Sequence, residues 1–266
     1  MLNLSNVTLL CVETREPNLA QWAIDRCTAS IKFGRIVLIT NLDLLKVKRD
    51  YIEYVQAPQI ETIKDYSLLM LTGIQEHVEG SHVLIIQWDS FVTHSELWVD
   101  EFLKYDYIGP VWPHHPETPV GNGGFSLRSK KLLEAIKRPE FNIGHPEDYC
   151  ICADNRKFLT LEGIKFAPIA IAEKFAVERT TWHEAFGFHG FFNFGRVLSD
   201  DELNDFLMLV PDRQLKTLDV YDLINSLIEE KRITIAKKIA ERVKFKWKMR
   251  KHYLKTKWWL CRSRFQ

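Results

Sequence analysis

The chain has 266 residues, 46% hydrophobic and 27% charged, with a formal net charge of +1. That composition suits one large globular domain, or one domain with an appendage. No run of 18 apolar residues occurs, which excludes a membrane span of helical type. The even balance hides an asymmetry. Residues 231–266 hold 14 Lys/Arg and one acid, Glu241, a net of +13, against 22 basic and 34 acidic residues, a net of −12, in the rest. Five cysteines, an odd number without zinc-ribbon or redox spacing, point to a reducing compartment and not to a disulfide framework.

The N-terminus, MLNLSNVTLLCVETRE, has no basic region before its apolar run, so it reads as a first strand over Val7–Val12 and not as a signal peptide. Asn18–Ile31 has helical spacing, and Arg35–Thr40 is a second apolar run. Together they predict a βαβ unit opening a parallel sheet. Ile52–Gln56 reads as a further strand, Ile60–Val78 as a helix, and His82–Gln87 as a buried strand that ends on Gln87-Trp88-Asp89. YDYIGPVWPHHPETPVGNGG holds four of the ten prolines and reads as loop. FSLRSKKLLEAIKR is expected to be a short strand entering a helix. HPEDYCICADNRKFLTLEG is expected to be one helix with Pro146 in its first turn, where Cys150 and Cys152 point to different faces. IKFAPIAIAEKFAVE reads as a strand pair or strand-turn, TTWHEAFGFHGFFNFGRV as irregular, and the chain from about 199 as helical to its end.

Four stretches carry chemistry, each with a structural alternative. Asp89, at the end of a greasy strand, is either a solvated strand end or a carboxylate at the ligand-binding edge of an open α/β sheet. VGNGGFSLRS is either a tight turn or a place where backbone approaches a ligand closely. Glu147-Asp148 either serve the helix dipole or include a general base. His189, among glycines and aromatics, is either structural or a metal ligand.

Taken in order, "HVLIIQWDSFV", "YDYIGPVWP", "VGNGGFSLRS" and "PEDYCIC" resemble the GT-A-fold glycosyltransferases, and more closely a largely uncharacterised set of bacterial and viral GT-A-like proteins. The resemblance covers roughly residues 5–195. It implies an α/β fold, a Rossmann-like mixed and mainly parallel sheet flanked by helices over about 1–200, with a helical basic extension over 201–266. It also implies an enzyme that moves a sugar from a nucleotide-sugar donor to a hydroxyl of a glycan or lipid-linked acceptor. Asp89 corresponds to the surviving acid of an Asp-x-Asp motif whose first place is taken by Gln87. With His189 it would hold a divalent metal, Mn²⁺ or Mg²⁺, on the diphosphate. Glu147-Asp148 match the acidic pair of inverting members, with Asp148 as base. Glu13, Thr14 and Arg15 would lie at the nucleotide, Tyr66 at the nucleobase, and Gln87, Trp88, Asn122, Gly123 and Gly124 along the donor. A catalytically silent nucleotide-sugar or glycan binder on the same fold is the alternative that Gln87 favours.

In the tail, Lys244, Lys248, Lys251 and Lys255 form one helical stripe, and Val243, Trp247, Leu254 and Trp258 a neighbouring one. Such a segment is either a solvated helix or one that lies on an anionic membrane surface. The second reading makes the protein cytoplasmic and peripheral on the inner face of the membrane. No nucleic-acid module accompanies the charge, so no nucleic-acid partner is expected. An adaptor whose main business is membrane or polyanion binding is a further alternative.

Overall fold

A computed structural model describes residues 1–243 and 249–262, the side chains of Cys261 and Arg262 excepted. The chain divides into two compact units, Met1–His189 and Gly190–Gln266.

The first unit is built on strand β1 (Leu2–Val12), helix α1 (Pro17–Thr28) and strand β2 (Ile31–Thr40), the expected βαβ opening with both strands longer than their apolar runs. Short β3 (Glu53–Gln56), helix α2 (Ile63–Thr72) and fully buried β4 (His82–Ile86) follow. Strands β5 (Ser90–Val92), β6 (Tyr107–Ile108) and β7 (Phe125–Ser129) come next. The main sheet has the order β3-β2-β1-β4-β7-β6. Strands β1 to β4 pair in parallel, whereas β7 is antiparallel to both β4 and β6. The fold is thus mixed α/β with a mainly parallel central sheet flanked by helices. Period-two alternation sorts the faces. Leu10, Val12, Val37, Ile39, Val83 and Ile85 pack with Met70 and Ile74 in one core cluster. Helix α1 packs against β1, β2 and β5.

Several elements differ from their sequence expectation. The helix expected over Ile60–Val78 is confined to α2. Thr62 and Asp65 form a capping box at its start, Gly73 ends it, and only a 3₁₀ turn over Gln75–His77 follows. Helix α3 (Lys130–Ile136) does follow β7, capped by Ser129. The helix expected from Pro146 is broken into three: α4 (Glu147–Tyr149), a π turn (Cys150–Asp154) and α5 (Arg156–Leu161). Pro146 stands outside, at the N-cap with extended backbone. The Asn155 amide donates to the carbonyls of Asn142 and Cys150, which makes the break a bonded feature. Cys150 and Cys152 both end in the core beside Tyr107, Leu132 and Leu159. IKFAPIAIAEKFAVE is mainly a helix, α6 (Ile169–Phe175), because Ile171, Ala172 and Phe175 share one buried helical face. The Ile-Ala alternation had imitated a strand; only β8 (Ala176–Val177) is extended. The aromatic stretch expected to be irregular supplies β9 (Gly187–His189), which with β5 and β8 makes a second sheet in the order β5-β9-β8.

The second unit is helical: α7 (Phe194–Val197), α8 (Asp200–Leu209) with a Ser199/Glu202 capping box, α9 (Asp219–Glu229), α10 (Ile233–Arg242) and α11 (Arg250–Arg262). Val220, Leu223, Ile224 and Leu227 of α9 and Ile235, Ala236 and Ile239 of α10 are buried. Two arginines close the helix ends. Arg232 donates to the Leu198 carbonyl and to Asp200, and Arg242 donates to the Val210 carbonyl and to Asp212. The expected stripe from Val243 to Trp258 does not run along one helix. Helix α10 stops at Arg242 and Val243 is extended and buried, whereas Leu254 and Trp258 of α11 are 62% and 53% exposed. Lys244, Trp247 and Lys248 lie outside the described residues. Among the described residues no helix is long and apolar enough to cross a membrane.

Candidate functional site

The parallel strands β1 and β4 end at one edge of the main sheet, and antiparallel β7 starts there. That topology brings Glu13-Thr14-Arg15, Gln87-Trp88-Asp89 and Asn122-Gly123-Gly124 to the same edge, where open α/β sheets bind ligands. The Gly124 carbonyl accepts from the Gln87 N–H at 3.1 Å and from the Ser90 hydroxyl at 2.6 Å, so the glycine segment is tied to the end of β4.

From there a chain of side chains crosses the site. The Gln87 amide donates to the Tyr66 hydroxyl at 3.1 Å, and its carbonyl oxygen lies 3.2 Å from His189 Nε2. His189 Nδ1 is 3.0 Å from Glu178 Oε1, and the other Glu178 oxygen accepts from the Asn122 amide at 2.8 Å. Asn122 stands in the left-handed region at φ 63, and its side-chain oxygen accepts from the Gly124 N–H at 2.8 Å. Gly123 and Gly124 are required by close approach. A Cβ on Gly123 would lie 2.0 Å from Glu147 Oε1, and one on Gly124 2.2 Å from His189 Nε2.

The two neighbouring acids have different surroundings. Glu147 is buried, and its Oε1 is 3.3 Å from Nη2 of Arg128, itself fully buried in β7. Burial raises the Glu147 pKa, and Arg128 only partly counters it. Asp148 is half-buried. One oxygen accepts from the Gly123 N–H at 3.1 Å and the other from the Tyr149 N–H at 2.8 Å. At the end of β1, burial also raises the pKa of Glu13, although its carboxylate accepts from the N–H groups of Arg15 and Glu16. Burial works against a charged His189, but Asp89 and Glu178 outweigh it and lift the imidazole to about 9. Glu178 answers in kind: burial opposes its charge, and His189 holds it below the usual carboxylate range.

Of the residues expected at the site, Tyr66, Gln87, Asn122, Gly123, Gly124 and His189 fall in one bonded network. Asp89 reaches it through His189, and Asp148 through Gly123. Glu147 is bound instead to Arg128. Tyr66 is engaged with Gln87 through its hydroxyl, and burial raises its pKa. Thr14 and Trp88 are half-buried and Arg15 exposed at the same edge. Two members went unrecognised in the sequence, Glu178 and Arg128. Each carried a signal. Glu178 ends the apolar run Phe175–Val177, as Asp89 follows β4, and Arg128 is a charge inside a strand that is otherwise apolar or small.

The expected metal pair can be tested against this geometry. Asp89 Oδ1 stands 3.7 Å from His189 Nε2, and Glu178 holds the opposite ring nitrogen, the carboxylate–histidine arrangement that orients a metal-ligating imidazole. Among the described residues no three His, Cys, Asp or Glu side chains are grouped to hold an ion. Asp89 and His189 thus stand as a pair without a third such side chain grouped beside them, and His189 Nε2 also lies 3.2 Å from the Gln87 side-chain oxygen.

A mixed α/β unit with acids at its carboxyl edge, one of them paired with an arginine buried inside the sheet, is the class that fold and site define. Residues 50–189, more than half of the chain, match a family described as "Protein of unknown function (DUF5672)", and the chain belongs to that family. No curated protein matches it. Among solved structures it is similar to a glycosyltransferase involved in the glycosylation of the major capsid of PBCV-1, at 12% identity and a TM-score of 0.43, over 77% of this chain and 99% of that one. It is also similar to the bifunctional IspDF from Campylobacter jejuni, at 12% identity and a TM-score of 0.36, over 61% of this chain and 48% of that one.

Proposed function

We propose that the first unit is a GT-A-like glycosyltransferase that moves a sugar from a nucleotide-sugar donor to a hydroxyl of a glycan or lipid-linked acceptor, with inversion. The observation that carries this reading is the division of labour between the adjacent acids. Glu147 is fixed by a buried arginine, while Asp148 is half-exposed and oriented by two backbone N–H groups. Only Asp148 is free to meet a substrate hydroxyl as general base.

In this reading Asp148 takes the proton of the acceptor hydroxyl, and that oxygen attacks the anomeric carbon as the nucleoside diphosphate departs. Gly123 and Gly124 let the backbone lie close to the sugar. Gln87 and Asn122 are locked by Tyr66 and Glu178, so their positions are set before substrate arrives. Glu13, Thr14, Arg15 and Trp88 line the nucleotide end. When bound at Asp89 and His189, Mn²⁺ or Mg²⁺ supplies charge neutralisation for the diphosphate. The basic segment 231–266 would hold the protein on an anionic, cytoplasmic membrane face. The exposed Leu254, Trp258 and Trp259 of α11 support an interfacial position.

A second reading, a silent binder of nucleotide sugars or glycans, is favoured by one observation: Gln87 stands where an acid is expected, and its amide is used up on Tyr66 and His189. Incubation with a panel of nucleotide sugars, followed by proton NMR, separates the two. Release of nucleoside diphosphate with an inverted sugar product supports transfer. Binding with no turnover of any donor supports the silent reading, and a product of retained configuration contradicts the single displacement.

A further inference from the structure

The loop between β6 and β7 is a built structure. The Trp112 N–H donates to the Pro119 carbonyl at 2.7 Å, Val111 and Val120 form an antiparallel bridge, and the N–H groups of His115 and Thr118 close successive turns. Trp112 lies flat on the backbone at Gly121, where an added Cβ would come within 2.5 Å of three ring atoms. Three rings gather there: Trp112 and His115 at 5.0 Å between centroids, His115 and Tyr149 at 5.4 Å, and Trp112 and Tyr149 at 6.3 Å. Beside them opens a cleft of about 350 Å³ lined by His114, His115, Glu117, Thr118, Tyr149 and Asp154 among others. That volume is at the lower end of the roughly 300–1,000 Å³ usual for small-molecule sites.

The geometry points to this cleft as a subsite for the pyranose ring of a neutral glycan acceptor. Aromatic faces offer a surface for the apolar C–H side of a sugar ring, and the imidazoles and carboxylates at the rim suit its hydroxyls. The lining holds two acids and neither lysine nor arginine, so an anionic ligand such as the nucleoside diphosphate is disfavoured there. The cleft is also joined to the chemistry. Tyr149 follows Asp148 directly and donates its N–H to that carboxylate at 2.8 Å, and Gly121 under Trp112 leads into Asn122-Gly123-Gly124. A sugar on Tyr149 is therefore held by the segment that carries the acid assigned as base, although Asp148 itself does not line the cleft. The assignment rests on the glycosyl-transfer reading for its direction, and the cleft itself can be tested without turnover.

The test is saturation-transfer NMR on the full chain with methyl glycosides of glucose, galactose, mannose and N-acetylglucosamine, with trilysine as the cationic competitor. Tyr149 is more than a third exposed, so its replacement leaves the core intact. We expect transfer to pyranose C–H protons of at least one glycoside, an affinity loss of about tenfold in Tyr149→Ala, equivalent to about 1.4 kcal/mol, and retention in Tyr149→Phe. No transfer from any glycoside, equal binding by Tyr149→Ala, or binding of trilysine in place of sugars overturns the proposal. Nucleoside diphosphates run in parallel by thermal shift separate the two claims. If nucleotides bind and glycosides do not, the subsite falls and the donor reading stands. If glycosides bind through Tyr149 and no nucleotide does, the transfer reading falls and the cleft stands as a glycan site.

Discussion

The two units use partly buried polar side chains in different ways. In the first, Gln87, His189, Glu178 and Asn122 bond to one another across the sheet edge. In the second, Arg232 and Arg242 reach mainly to backbone carbonyls left over at helix ends and to the nearby acids Asp200 and Asp212. Side-chain bonds to chain ends repair what a helix terminus leaves unsatisfied. A network whose side chains mostly satisfy each other does little for the backbone beyond the Gly124 N–H that Asn122 accepts, and its cost is justified by what it positions. The comparison therefore separates groups kept for stability from groups kept for a site, and it can be broken.

The largest effect belongs to Asp148. Asp148→Asn should lower turnover by roughly 10²–10⁴-fold while nucleotide affinity and melting temperature stay near wild type; an active Asp148→Asn enzyme beside a dead but folded Glu147→Gln would reverse the roles. Glu147 should behave as a structural partner. Glu147→Gln leaves Arg128 buried without its counter-charge and should cost about 3–5 kcal/mol of stability, visible as a fall in the denaturant midpoint. Arg232→Ala, which strips bonds to Leu198 and Asp200, should cost about 1–3 kcal/mol and leave ligand binding untouched. A loss of nucleotide binding in that variant would erase the contrast between the units.

The smallest effect is a pH dependence. The folded-state imidazole of His189 is lifted from 6.5 to about 9. A raised pKa stabilises the fold fully below the unfolded value, and that contribution is lost as pH rises through the folded one. The melting temperature should therefore fall as pH rises from 6.5 to about 9.5, and His189→Gln should flatten that slope. An equal slope in the variant would place the titrating group elsewhere.

Much of this was legible in the sequence where one local rule sufficed. The βαβ opening showed in the apolar runs, and β4 in its uninterrupted greasy stretch ending on Asp89. Helix α6 was misread because Ile-Ala-Ile-Ala satisfies a strand period as well as a helical one, and only tertiary burial of Ile171, Ala172 and Phe175 decides. The break after Tyr149 depends on Asn155 bonding back to Asn142, a contact that no periodicity reveals. At the site, residues with unusual local context, such as Asn122-Gly123-Gly124 and Glu147-Asp148, stood out. Glu178 did not, because its role comes from pairing with His189, and Arg128 did not, because a charge in a strand looks like an exposed face until the strand is found buried on both sides. The distinction between Glu147 and Asp148 likewise needed the fold, since the two are adjacent in sequence and differ in which one meets Arg128.

The edge that gathers Asp89, His189 and Asp148 is expected to bind a nucleoside diphosphate. Thermal-shift titration of the full chain and of Asp89→Asn with nucleoside diphosphates, each with and without Mn²⁺, tests it most directly. At least one nucleoside diphosphate should raise the melting temperature of the wild type, more so with Mn²⁺, and Asp89→Asn, compared with its own ligand-free melting temperature, should lose the Mn²⁺-dependent part. A wild type indifferent to every nucleotide, or an Asp89→Asn variant with an unchanged Mn²⁺-dependent shift, would contradict it.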